Sequence, residues 1–219
     1  MLGGTPVEEI SLDYLPIAIS VLSLAVAATT LFLAQFRSPR ISIHVGPTVK
    51  LYYPKDGGFA AYIPTTFIND SARMGAVFRT AISLVRNENP QDRFFIEWGS
   101  FSTYDPQTGN WRYEDMAHAL AVPGKAAVNK LLWFNWLPSS SPLLHIREGE
   151  YTLTVHYWTA QTGNAANDIH NCHISGETFV KLESYRTAGK ATIVEVVLDR
   201  QLDQNRLMTP HEAKALLNV

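Results

Sequence analysis

The densest run of chemically capable side chains is Asp168-Ile169-His170-Asn171-Cys172-His173. Two imidazoles and a thiol within four positions suit zinc or copper, with His156 upstream as a further donor. The spacing matches no paired zinc motif, and haem attachment would need a second cysteine before the histidine. A blue-copper site would want a methionine several residues after the last histidine, and that window has none. His170, Cys172 and His173 are therefore kept as candidate metal ligands, against the plainer reading of a polar loop. Cys172 beside a histidine also has the composition of an activated nucleophile, but neighbours on a strand point to opposite faces. Ser139-Ser140-Ser141 lacks the glycines of a nucleophile elbow. Glu97, Asp105, Glu114 and Asp115 are scattered, and Gly57-Gly58 and Gly3-Gly4 lack the strand–loop–helix setting of a phosphate loop. No reaction and no cofactor is expected from these residues.

The chain has 219 residues, 46% of them hydrophobic and only 17% charged, with a formal net charge of −2. That length allows one anchor and one sizeable domain. Neither a Lys/Arg-rich run nor a nucleic-acid motif is present, so no nucleic-acid partner is expected. Cys172 is the single cysteine. It cannot form an intrachain disulfide, so the domain must be held by its core.

Residues 14–36, about 23 in all, carry no charge, and about 20 suffice to cross a bilayer as a helix. Tyr14 and Phe36 stand at the ends, where aromatic rings favour the interface. The flank, residues 1–13, contains Glu8, Glu9 and Asp13 but no Lys or Arg, which argues against a cleaved signal peptide. Arg37 and Arg40 follow the span. The positive-inside rule then predicts a single-pass membrane protein with its domain in the cytoplasm. Ser20, Ser23, Ala27, Thr30 and Ala34 fall within a sector of about 80° on such a helix. Small residues let a second helix approach closely, so this face is the candidate contact with a membrane partner.

A period-two pattern starts at once beyond Arg40, where Ile41, Ile43 and Val45 alternate with Ser42 and His44. Further strands are expected at 59–68, 75–84, 94–104, 128–137 and 151–158, with a last pair at 177–185 and 191–198 around Thr187-Ala188-Gly189-Lys190. The region around 105–129 reads as an insertion with a helical stretch from Glu114 to Leu120. Residues 201–219 read as a tail with a short helix capped by Thr209 and Pro210. Seven or eight short strands over residues 41–200 predict a mainly β domain, an antiparallel sandwich.

Two stretches carry a resemblance. Ile63-Pro-Thr-Thr-Phe-Ile-Asn69-Asp70-Ser71 followed by Val77 to Leu84, and Gly149-Glu150-Tyr151-Thr-Leu153-Thr-Val155, resemble strand units of bacterial immunoglobulin-like domains. Together they span about a quarter of the chain. The resemblance implies an immunoglobulin-like sandwich of the kind used in adhesion, accessory and assembly modules, and it brings no catalytic residues.

Leu131-Leu132-Trp133-Phe134-Asn135-Trp136-Leu137 has two readings, a core strand or an aromatic edge. In the second, Trp133, Phe134 and Trp136 face lipid headgroups or a subunit. The expectation is a non-catalytic accessory or interaction subunit of a larger membrane complex, in contact with membrane subunits and the lipid bilayer. A membrane-bound metalloprotein or enzyme using His170, Cys172 and His173 is the first alternative. An extracytoplasmic sensor or adhesion domain is the second.

Overall fold

The computed structural model describes residues 14–35, 38–107 and 110–198. The expected C-terminal helix after Thr209 lies outside the described residues. The elements follow in order as α1 (Leu15–Gln35), β1 (Ile41–Val45), β2 (Thr48–Tyr52), β3 (Phe59–Asn69), β4 (Gly75–Val77), β5 (Arg79–Arg86), β6 (Asn89–Asp105) and β7 (Asn110–Met116). Then come β8 (Leu120–Val122), β9 (Ala126–Trp136), β10 (Gly149–Trp158), β11 (Ala166–Ile174), α2 (Gly176–Thr187) and β12 (Val194–Val197). The chain is mainly β, with one apolar N-terminal helix, as its patterning predicts.

Alternation places the core. In β3, Phe59, Ala61, Ile63, Thr65, Phe67 and Asn69 are buried, while Tyr62, Pro64, Thr66 and Ile68 are only half-buried. Successive side chains on a strand point to opposite faces, so one face of β3 is wholly interior. Pro64 is tolerated in mid-strand because its oxygen accepts from Gly46 N at 2.8 Å. Its own missing N–H faces the same edge, where the chain breaks at Gly46-Pro47 between β1 and β2. Both of those strands pair with β3, so no ladder bond is lost.

The ten-stranded antiparallel sheet runs β11-β10-β5-β6-β9-β3-β2-β12, with β1 added on β3 and β7 on β6. Its bend lies in β6, the 17-residue strand. The first half pairs with β5, and from Trp98 onward β6 pairs with β9, with the register shifting between Trp98 and Ser100. Gly99 occupies that shift because a Cβ there would lie 3.1 Å from two atoms of the Trp133 ring. A bulge of this kind turns a strand sharply. The far edges then meet, since Cys172 of β11 bridges Leu198 just beyond β12. The result is a nearly closed, barrel-like sheet, where two separate sheets were expected.

Both ends of this barrel are filled. The β4–β8 ladder buries Val77, Leu120 and Val122 at the end where the chain enters β1. At the other end α2 buries Leu182, and Arg186 lies over the Tyr53 ring at 5.8 Å.

Three local expectations are corrected. Residues 177–185 are helix, not strand. Ser175 caps this helix by accepting from Thr178 N at 3.2 Å, and Glu177 pairs with Lys181 one turn on. Those local contacts outweigh the β-branched and aromatic side chains of Thr178, Phe179, Val180 and Tyr185. Consequently the strand expected at 191–198 shrinks to β12 and pairs with β2. Glu114 to Leu120 is not helical either, because β7 and β8 occupy most of it. The supposed insertion thus supplies two strands to the domain.

Candidate functional site

Every residue of α1 whose side chain is described is exposed, on all sides of the helix. It is long and apolar enough to cross a membrane. On the small-residue face, Ser20 Oγ donates to the Pro16 carbonyl and Thr30 Oγ1 to the Val26 carbonyl, each at 2.8 Å. Both hydroxyls are therefore satisfied within their own helix. What this face offers at Ser20, Ser23, Ala27 and Thr30 is low bulk. The Ala34 side chain lies outside the described residues.

The His-Cys-His run sits on β11, a strand where a loop was expected. Alternation separates its members. Cys172 and Ile174 point inward and are buried, with His170 on the same face, whereas His173 lies on the opposite face. His170 Nε2 lies 3.0 Å from Asp168 Oδ2, and His173 Nδ1 lies 2.8 Å from Glu150 Oε1 on β10. His156 is engaged elsewhere, at 2.9 Å from Ser83 Oγ and 2.7 Å from Asn167 Oδ1. Its register partner Asn167 is six residues from His173, roughly 20 Å along the strand. The ligand set for a metal at His170, Cys172 and His173 is thus not assembled. Among the described residues no group of three or more His, Cys, Asp or Glu side chains converges as a metal site would require. Strand pleating is what keeps these three side chains apart.

The aromatic run on β9 is also divided by alternation. Phe134 is fully buried, so it cannot belong to a surface patch, which corrects its place among the interface candidates. Trp133 and Trp136 are half-buried. Trp133 Nε1 donates to the Tyr52 hydroxyl at 2.9 Å, and Trp136 Nε1 donates to the Pro142 carbonyl at 3.1 Å while its ring meets Phe94 edge-on. Each keeps only part of its ring for a partner.

One concave feature was not anticipated. The β6–β7 hairpin curls over the outer face of the sheet, stacking Trp111 on Tyr62 at 5.6 Å, and Tyr62 in turn stacks on Tyr52 at 5.4 Å. Burial, then the hydrogen bond with Tyr52, pushes the Tyr62 hydroxyl well above its ordinary range. Between hairpin and sheet runs an open groove of about 640 Å³, lined by His44, Pro64, Tyr104, Trp111, Asn129 and Lys130 among others. Lys130 is held by Glu114, and Thr66 donates to Asn129 Oδ1 at 2.7 Å. The sequence does place Tyr104 and Trp111 on either side of a turn composition, Asp105-Pro106 to Asn110. It holds no sign that the hairpin folds back across three strands.

Geometry and fold define a class, a nearly closed antiparallel β domain behind an exposed apolar helix. No protein-family model matches the chain, and no curated protein matches it. Among solved structures it is similar to a family 123 glycoside hydrolase from Clostridium perfringens, with a TM-score of 0.31 and 8% identity. That match covers 62% of this chain but only 27% of the hydrolase. A structure from the AAF fimbriae of enteroaggregative Escherichia coli is similar with a TM-score of 0.24 and 14% identity, over 61% of this chain and 96% of that one.

Proposed function

We propose that this chain is a non-catalytic, single-pass membrane-anchored subunit whose helix and domain surface hold it within a larger membrane assembly. The observation that carries the reading is the exposure of α1 around its whole circumference. Apolar surface of that extent is strongly unfavourable in water and at home in lipid. The domain follows closely, since β1 begins at Ile41, six residues after Gln35, a reach of roughly 20 Å when fully extended. Arg37 and Arg40 against Glu8, Glu9 and Asp13 place the domain in the cytoplasm within this proposal.

The immunoglobulin-like relationship belongs to the same proposal. A tyrosine corner supports it: the Tyr151 hydroxyl accepts from Arg147 N at 2.9 Å and donates to Arg147 O at 3.1 Å, four residues upstream at the start of β10. Asn69 supports it too, because its buried side chain organises the turn after β3. The sheet shared through β6 and the presence of α2 are departures from that pattern.

The test is gentle detergent extraction from native membranes, separation by native size, and mass spectrometry of the co-migrating chains. A defined large complex is expected. Its size should fall when Ser23 and Ala27 are both replaced by leucine, which fills the small-residue face. Migration of the unaltered chain alone, or as a small homo-oligomer, removes the subunit reading.

A further inference from the structure

The end of the domain where the chain arrives from α1 is built from two loops locked to each other. Asn69, 1% exposed, closes β3 and holds the first loop. Its Nδ2 donates to Arg73 O at 2.8 Å and to Val122 O at 3.0 Å, while its Oδ1 accepts from Ser71 N at 3.0 Å. The second loop, residues 123–125, is fastened by Lys125 N donating to Ser71 O at 2.8 Å. A Cβ on Gly124 would lie 2.1 Å from the Ala72 oxygen, so glycine is what allows the two loops to touch. The arriving chain is clamped to the same unit, with Asp70 N donating to Arg40 O at 3.1 Å. Pro39 and Ile41 fill the space beside Gly75, each within 2.8 Å of where a Cβ would stand.

The charges on this unit are nearly all positive. Lys50, Arg79, Arg86, Arg112, Lys130, Lys181 and Arg186 each lie against a carboxylate. Arg40, Arg73 and Lys125 have no salt-bridge partner among the described residues and are exposed, as are Lys55, Arg93, Arg147 and Lys190, but only these three belong to the unit where the chain arrives from α1. Lys125 Nζ donates to a neutral acceptor, Asp70 O, at 2.5 Å. Asp70 is the one carboxylate in the two loops. Met74, next to Arg73 in the first loop, is 69% exposed and is a flexible apolar side chain.

We infer that these two loops are a footplate for anionic phospholipid, with Arg40, Arg73 and Lys125 pairing with headgroup phosphates and Met74 entering the acyl boundary. The inference rests on the membrane-anchor reading of α1 and on the cytoplasmic orientation proposed with it. Charge complementarity favours lipid as the occupant, since the cytoplasmic leaflet is negative and basic residues beside a span are drawn to it. So does continuity: the unit is tied directly to Arg40, within a short tether of the helix. The locked loops keep the cations in place before binding, which lowers the ordering cost of contact.

The test uses the full chain carrying Met74→Cys with an environment-sensitive fluorophore, reconstituted in phosphatidylcholine vesicles with and without phosphatidylserine. Lys55→Cys, in the turn before β3 at the far end of the barrel, is the comparison site. Cys172 is 4% exposed and stays unlabelled in the folded chain. Headgroup-depth spin-labelled lipid should quench the Met74→Cys label several-fold more than the Lys55→Cys label. The difference should grow with phosphatidylserine, shrink in high salt, and be lost in Arg73→Glu/Lys125→Glu and halved or more in Arg73→Gln/Lys125→Gln. Equal quenching at the two sites, or quenching indifferent to lipid charge, overturns the inference while leaving the anchor intact. A chain that alkaline extraction strips from the vesicles overturns both the inference and the anchor on which it rests.

Discussion

Among single residues, Tyr53 shows how burial couples to pH. Its hydroxyl accepts from the buried Ile146 N–H at 2.8 Å. Burial pushes its pKa from an ordinary 10 up to about 12, against the opposing effect of that backbone hydrogen bond. A raised folded-state value means the unfolded chain ionises first. The stability tied to the neutral phenol is thus fully present below about pH 10 and is lost as pH rises through about 12. Tyr151 and Tyr157 shift in the same direction, again chiefly through burial. Tyr53→Phe should cost about 1–3 kcal/mol at neutral pH, because it leaves the Ile146 N–H without an acceptor. It should also flatten the alkaline fall in stability, which denaturant melts at pH 7, 10 and 11 will reveal. At this scale the pleat of β11 decides the fate of the His-Cys-His run. Its composition was legible from the start, but the faces on which His170, Cys172 and His173 lie depended on recognising a strand.

Among the elements, α2 is where local signals and pattern compete. The β-branched and aromatic residues of 177–185 suggest a strand, yet the helix is started by Ser175 and stitched by Glu177–Lys181 and Glu183–Arg186. It ends with Lys190 N donating back to Tyr185 O at 2.8 Å, past Gly189 at φ +63°. Ser175→Ala removes the cap and should destabilise the domain by about 1 kcal/mol, read as a lowered urea midpoint with an unchanged slope. A loss well above that range would mean that Ser175 has a wider role than capping. Strand β10 was legible because one face of it is buried and one is not, and β9 was legible as a run of apolar side chains. Strand β7 and the split of β4 from β5 were not, since short strands on a curved edge carry little alternation.

For the whole molecule, the governing contrast is between a helix exposed at every described side chain and a nearly closed barrel filled at both ends. Its orientation is open to direct measurement with an impermeant thiol reagent. Cys172 is a poor reporter because it is buried under the bridge to Leu198. Lys55→Cys, on an exposed turn, is a suitable one. If the domain is cytoplasmic, this thiol should resist labelling in intact cells and react once they are permeabilised. Labelling in intact cells would move the domain outside and favour the sensor or adhesion alternative.

The sequence by itself determined the apolar helix, the mainly β class and most of the long strands, because each depends on a periodicity a few residues wide. Tertiary structure alone decided that β6 turns at Gly99 to join both halves of the sheet, and that Phe134 goes inside while Trp133 and Trp136 keep partial exposure. It also brought Asn69, Ser71, Gly124 and Lys125 together into one rigid unit beside Arg40. The contacts that tie these loops to each other and to Arg40 join residues thirty or more positions apart, and no local pattern records them. Closure of the barrel selects among strand faces and loop partners that the chain leaves equivalent.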